Sequence, residues 1–348
     1  MNLEDFMINI SEQKTAFQIV RHEHFQARKL HAFRQGTMFS KSSQARNFLL
    51  ALLLFFNFAA MAQQDPLFTQ YMFNKLLVNP GYAGSKEVLS IDLLNRSQWT
   101  NIEGAPETLT LSAHTAMKNK NVGLGFYFSE DKVGPENNLG FMGTYAYRIY
   151  FDKGSLAFGL QFGFKYFNFN WAEMVLKQPD YVFDPQDVRK ITPDANFGIY
   201  YQSNRMFAGL SSKQLLENEY GYGTKDGKTS FSKLTRHFYL MGGFALPLAS
   251  NIIFRPSMMA KYTPNAPIQV DMNASVLFSN VFWIGTSYRP GDAISLMTEI
   301  KLKDWLKLGY SYDININELQ SLYSGSHEIR LGFEFQMYKS RMRTPRYF

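Results

Sequence analysis

Along residues 155–166 the even positions are Leu156, Phe158, Leu160, Phe162, Phe164 and Tyr166, and the odd ones are Ser155, Ala157, Gly159, Gln161, Gly163 and Lys165. Six bulky residues in strict period two predict a strand with one oily face, carrying Phe162, and one small or polar face, carrying Gln161. The alternation returns over 268–278 and 328–336. Read this way, the chain predicts fourteen strands: 87–99, 106–117, 121–129, 139–151, 154–168, 194–203, 205–212, 235–247, 250–263, 267–278, 281–289, 293–302, 305–314 and 326–337. Most reach the roughly 9–11 residues that a tilted membrane strand needs, against about 5–6 in globular sheets. Connections after even-numbered strands are tiny. Those after odd-numbered strands are mostly long: 100–105, 130–138, 169–193, 213–234 and 315–325, with 264–266 and 290–292 as exceptions. Short turns at one end opposite long loops at the other mark an outer-membrane barrel and not a β-sandwich. The expected fold class is therefore all-β, a transmembrane antiparallel β-barrel of about fourteen strands over 87–337, preceded by a short helical segment. Two places fit less well. Pro256 cannot donate to a ladder, which predicts a bulge or a shifted boundary. Residues 205–212 alternate poorly, which leaves room for twelve or sixteen strands.

Upstream, an apolar run from Phe48 to Ala59 is broken only by Asn57. Lys41 and Arg46 precede it, and Ala60-Met61-Ala62 follows as a small-x-small cleavage site. The set reads as a secretory signal peptide over 38–62, opening at Met38. Residues 1–37 are then an over-called start, and the mature chain begins at Gln63, bound for the outer membrane.

Composition adds exclusions. The formal net charge is +7 over 348 residues. Residues 1–62 and the tail, with Lys339, Arg341, Arg343 and Arg346, carry that excess, so the body is neutral and has no nucleic-acid footprint. The tail, 338–348, reads as a solvated end. There is no cysteine, hence no disulfide and no thiolate metal or redox site. After the leader no apolar run is long enough for a membrane helix. A barrel needs none, because its lipid-facing residues hide in alternate positions.

Residues 63–86 precede the strands. Phe68, Met72, Phe73, Leu76 and Leu77 fall at helical spacing, and Asn79-Pro80-Gly81 stops the pattern. Two placements stand equal: a helix plugging the barrel mouth or lumen, or a periplasmic docking element, with Phe68, Tyr71, Met72, Phe73, Asn79 and Pro80 as its candidate residues. Inward positions such as Asp92, Arg96, Glu299, Asp313, Glu328 and Arg330 carry both signs. That favours ion pairs in a filled lumen over the one-sign ring of a selective channel. In loop 213–234, Leu215, Leu216, Tyr220 and Tyr222 are the candidate partner-binding residues, against the alternative of a loop that merely shields the mouth.

Catalytic chemistry is sparse. The mature chain holds three histidines, His114, His237 and His327. Ser112 and His114 share a strand face about 7 Å apart, beyond hydrogen-bond reach. Asp180, Asp184, Asp187 and Asp194 lack regular calcium-loop spacing. No catalytic, cofactor-binding or metal site is expected.

An ordered series of short motifs carries a family resemblance. Gln64-Asp65-Pro66, Gln70-Tyr71-Met72-Phe73-Asn74, Asn79-Pro80, Tyr82-Ala83-Gly84, Gln98-Trp99, Gly104-Ala105-Pro106, Gly309-Tyr310-Ser311-Tyr312-Asp313 and Gly325-Ser326-His327-Glu328-Ile329 are among them. Together they resemble the PorP/SprF outer-membrane proteins of Bacteroidota, over nearly all of 63–337. The resemblance implies the type IX secretion system and, in gliding species, the machinery that displays surface adhesins. It implies a barrel that binds, exports or anchors one secreted or surface-anchored protein with a C-terminal sorting domain, sits in outer-membrane lipid and links to periplasmic type IX components. The competing readings are a general small-solute porin and an outer-membrane hydrolase.

Overall fold

The computed structural model describes residues 66–170, 188–223, 229–317 and 324–337. The expected leader, residues 1–37, the start at Gln63 and the tail 338–348 lie outside the described residues. So do most of loop 169–193 and the side chains of Tyr220 and Tyr222.

Seventeen strands form among the described residues: β1 (Leu89–Ser97), β2 (Glu107–Ala116), β3 (Val122–Val133), β4 (Glu136–Phe151), β5 (Gly154–Phe169), β6 (Val188–Ser203), β7 (Met206–Lys213), β8 (Glu219–Gly223), β9 (Thr229–Lys233), β10 (His237–Phe244), β11 (Leu246–Ala249), β12 (Ile252–Tyr262), β13 (Gln269–Phe278), β14 (Phe282–Arg289), β15 (Ala293–Lys303), β16 (Leu306–Asn315) and β17 (Ser326–Phe335). Wall strands pair antiparallel with their chain neighbours, and the ring closes where Leu89 to Ser97 of β1 face Phe335 to His327 of β17. Strands β8 and β9 form a separate hairpin, so β7 pairs directly with β10. Strand β11 continues β10 along the same partner, β12. With β10 and β11 counted as one, the molecule is a closed barrel of fourteen strands.

All fourteen expected strands are present, and the departures have causes. Pro256 does not interrupt β12. Its effect lies next door, where pairing with β10 stops at Gly243 opposite Ser257 and resumes in β11 at Leu246 opposite Phe254. Proline has no N–H for that ladder, and the neighbour breaks at Ala245. The poorly alternating 205–212 is β7. The expected loop 130–138 is a hairpin that pairs to Val133 opposite Glu136, with Gly134 at φ 54° in its turn. Strands β4, β5 and β6 are each 16 residues long, so they project beyond the bilayer. Those projecting ends need no oily face, which is why alternation underestimated β4 and β6.

The wall has the expected phase. Phe162 is 65% exposed to the outside, whereas its neighbour Gln161 is 3% exposed and points inward. The lumen is full. Residues 66–88 lie within it, buried from Phe68 onward except for the half-buried Glu87. The expected helix is not an α-helix: the segment makes turns and two 3-10 turns, Lys75–Leu77 and Pro80–Tyr82. A helix shows one oily stripe, but this segment is buried on every side. Polar Thr69, Gln70, Asn74 and Lys75 are as enclosed as Leu76. Wall groups, and not an intrahelical ladder, satisfy part of its backbone.

Candidate functional site

The candidate site is this lumenal segment and its seat. At the long-loop end, Thr69 N–H donates to Glu328 Oε1 at 2.6 Å, and Gln70 N–H donates to Glu328 Oε2 at 2.9 Å. The Thr69 hydroxyl donates to Asp313 at 2.8 Å. Arg96 bridges both carboxylates, at 2.7 Å from Glu328 and 2.8 Å from Asp313. One guanidinium thus gathers β1, β16 and β17 around the start of the segment.

Midway, the Asn273 amide donates to the Tyr71 hydroxyl at 2.6 Å, and the Asn74 amide donates to Ser112 at 2.8 Å. Asn79 caps the second 3-10 turn by accepting the Gly81 N–H at 2.9 Å. Its amide donates to the Ile199 carbonyl of β6, also at 2.9 Å, and Pro80 opens the turn. Close approach here requires a wall residue without a side chain. A Cβ on Gly159 would collide with the Pro80 carbonyl and the Gly81 amide, and one on Gly123 with the Ala83 carbonyl.

At the short-turn end, Arg148 donates to the Gly84 and Ala83 carbonyls at 3.0 and 2.9 Å. Gly84 N–H donates to His114 Nδ1 at 3.1 Å, so that nitrogen carries no proton. Lys86 pairs with Glu334 at 3.2 Å, and Glu87 with Lys120 of the β2–β3 turn at 2.7 Å.

Several of the remaining interior charges pair across strands. Arg330 bonds Asp92 of β1 and Glu299 of β15, and its guanidinium lies 5.4 Å from the Phe73 ring. Arg289 bonds Asp271 at 2.7 Å. Arg255 stacks on Trp283 at 3.8 Å, and Phe73 meets the same indole edge-on. Lys75 differs: its ammonium donates to the Met72 carbonyl at 2.7 Å and faces the Phe207 and Tyr82 rings.

Phe68, Tyr71, Met72, Phe73, Asn79 and Pro80 therefore come together inside the barrel. Leu215 and Leu216 lie apart from them, in the connection that carries β8 and β9. Leu215 N–H donates to the Ala195 carbonyl of β6 at 2.9 Å, and Leu216 is exposed. The three histidines are distributed as well. His237 Nδ1 lies 2.8 Å from the Thr235 carbonyl, and His327 Nδ1 lies 2.8 Å from the Tyr310 hydroxyl.

Sequence reasoning missed Thr69 and Gln70 as anchors and Arg148 as a carbonyl clamp. A signal existed for Gln70 and for the carboxylate that holds it. Gln70, Asp313 and Glu328 all sit inside the short motifs singled out above, and those motifs meet at one place in the lumen.

Residues 60–333 match the sequence model of a family described as "Type IX secretion system membrane protein PorP/SprF". No curated protein matches the chain. Among solved structures, the Acinetobacter baumannii outer membrane protein Omp33 is similar, with TM-score 0.42 and 6% identity over 72% of this chain and 100% of that one. A Pseudomonas aeruginosa FadL homologue gives TM-score 0.44 and 9% identity over 79% and 95%. The P. putida toluene transporter TodX gives 0.38 and 7% over 72% and 90%. Likeness at this level carries no argument, and the fold rests on the strand pairing.

Proposed function

This chain belongs to the PorP/SprF family of type IX secretion system membrane proteins, and from that premise we propose an outer-membrane barrel closed to solutes that docks a partner protein. The partner class is a secreted or surface-anchored protein carrying a C-terminal sorting domain, held for export or anchoring at the long-loop face. The short-turn face, periplasmic in an outer-membrane barrel, is left for other components of the same system. Leu215, Leu216, Tyr220 and Tyr222 are the proposed contacts, as the apolar and aromatic residues of the longest connection.

The observation that carries this reading is the occupied lumen. A diffusive pore needs a continuous aqueous path. Here the path is taken by residues 66–88, bonded to β1, β2, β4, β6, β13, β16 and β17. A general porin is the poorer reading for that reason. Reconstitution in planar bilayers, together with co-purification from native membranes, tests the choice. The expected result is no steady conductance and a co-purifying sorting-domain protein. A large, ungated conductance without a partner would overturn it.

A further inference from the structure

We infer that the lumenal segment is threaded lengthwise from base to mouth, so that its first residues, 66–69, are presented on the long-loop side, where an exterior polypeptide partner can take hold of them. This rests on the outward orientation of the long loops adopted above.

The path is fixed at three levels. At the base, Glu87 pairs with Lys120 in the short β2–β3 turn, and Gly84 lies against the Ala116 and Gly123 ends of β2 and β3. Arg148, which holds the Ala83 and Gly84 carbonyls, is three residues from the short-turn end of β4. Midway, Asn79 reaches Ile199 of β6. At the top, Thr69 meets Arg96, Asp313 and Glu328. Each of these lies one or two residues from the long-loop end of its strand, β1, β16 or β17. Burial agrees: Pro66 and Leu67 are half-buried, whereas Phe68 to Lys86 are buried throughout.

Two consequences follow from the chemistry. The latch reads main chain and hydroxyl: Glu328 takes two consecutive N–H groups, and Asp313 takes the Thr69 hydroxyl. An extended peptide arriving at the mouth offers the same N–H groups, so it can compete for those carboxylates. Moreover, a pull on residue 66 loads the Thr69 latch before any bond deeper in the lumen. The surface therefore fits an extended polypeptide on the cell exterior that binds Pro66 and Leu67 and releases the plug from the top.

The chain has no cysteine, so one introduced thiol is unique. Three variants are compared in cells with a membrane-impermeant maleimide: Leu67→Cys, Leu216→Cys in the exposed long connection, and Asp304→Cys in the β15–β16 short turn, where the side chain is 97% exposed. The expected result is labelling of Leu67→Cys and Leu216→Cys on intact cells, with Asp304→Cys labelled only after the outer membrane is permeabilised. If Leu216→Cys reacts but Leu67→Cys needs permeabilisation or denaturation, the threading is wrong and the proposed docking face stands. If Asp304→Cys reacts on intact cells and Leu216→Cys does not, the orientation fails, and both proposals fail with it.

Discussion

Glu328 accepts the Thr69 N–H at 2.6 Å across 259 positions of sequence, joining the last wall strand to the start of the lumenal segment. That contact depends on Arg96, which holds Glu328 and Asp313 side by side and offsets part of their charge. Arg96→Met should leave two buried carboxylates facing each other without a cation. Breaking a buried pair in this way costs about 3–5 kcal/mol. The temperature at which the folded, fast-migrating gel form is lost should fall clearly below that of the unaltered protein.

Plug seating can be tested apart from barrel assembly with two glycines. Gly159 faces inward against Pro80 and Gly81. Gly143 faces outward, and the nearest atom to a Cβ there is 3.7 Å away. Gly159→Val should fold yet displace the segment, at an overpacking cost of about 1–3 kcal/mol. It should show a steady conductance in planar bilayers that Gly143→Val lacks. Equal, conducting traces from both would mean that the segment does not block the pore, and equal, silent ones that crowding Pro80 and Gly81 does not unseat it.

Strands were legible because period two survives wherever one face meets lipid. Phe162 and Gln161 illustrate both the success and its limit. Their phase follows from alternation alone, and Phe162→Arg should abolish assembly, costing roughly 2–4 kcal/mol at the bilayer midplane. A polar inward residue in an open lumen would tolerate arginine. Gln161, however, donates to Thr144 at 2.9 Å and accepts from Asn196 at 2.8 Å, in a space already filled. Gln161→Arg is therefore expected to lower the same thermal midpoint, by less than Phe162→Arg affects assembly. What alternation could not supply was the lumen's third dimension. The partners of Thr69, Asn79 and Arg148 are set by strand register around the ring, and the oily spacing of Phe68 to Leu77 mimics a helix. The hairpin of β8 and β9 was hidden for a related reason: it forms a sheet of its own, outside the wall's ladder, and need not alternate.

Lys75 supplies a prediction with a defined sign. Its amine is fully enclosed, bonded to the Met72 carbonyl at 2.7 Å and set against the Phe207 and Tyr82 rings. Enclosing a charged group whose contacts are a carbonyl and two rings is costly. Lys75→Met keeps the apolar stem against Phe207 and removes the amine. The variant should resist denaturation better than the unaltered protein at pH 7. A destabilised variant would instead assign the contacts with the Met72 carbonyl and the two rings a net favourable role.

The proposed docking loop can be removed without touching the wall. Leu234 N–H donates to the Asn218 carbonyl at 2.9 Å, so the two ends of the β8–β9 hairpin are already hydrogen-bonded neighbours. Below them, Leu215 is tied to Ala195, the Gln214 N–H donates to the Asn196 side chain, and Arg236 donates to the Leu215 carbonyl at 2.8 Å. Excising 219–233 and closing the gap with a short glycine turn keeps that base. It also shortens a loop, which does not raise closure entropy. The barrel should therefore retain its normal abundance and heat-modifiable migration. Surface display or secretion of the sorting-domain partner should be lost, because excision removes Tyr220 and Tyr222 and leaves Leu215 and Leu216 without the rest of their surface. Display and secretion are measured on cells carrying the excised form, alongside the gel assay. Unchanged partner display with a folded barrel would refute the role of the hairpin and move the docking site to the other long connection, 170–187, or to the half-buried start of the lumenal segment.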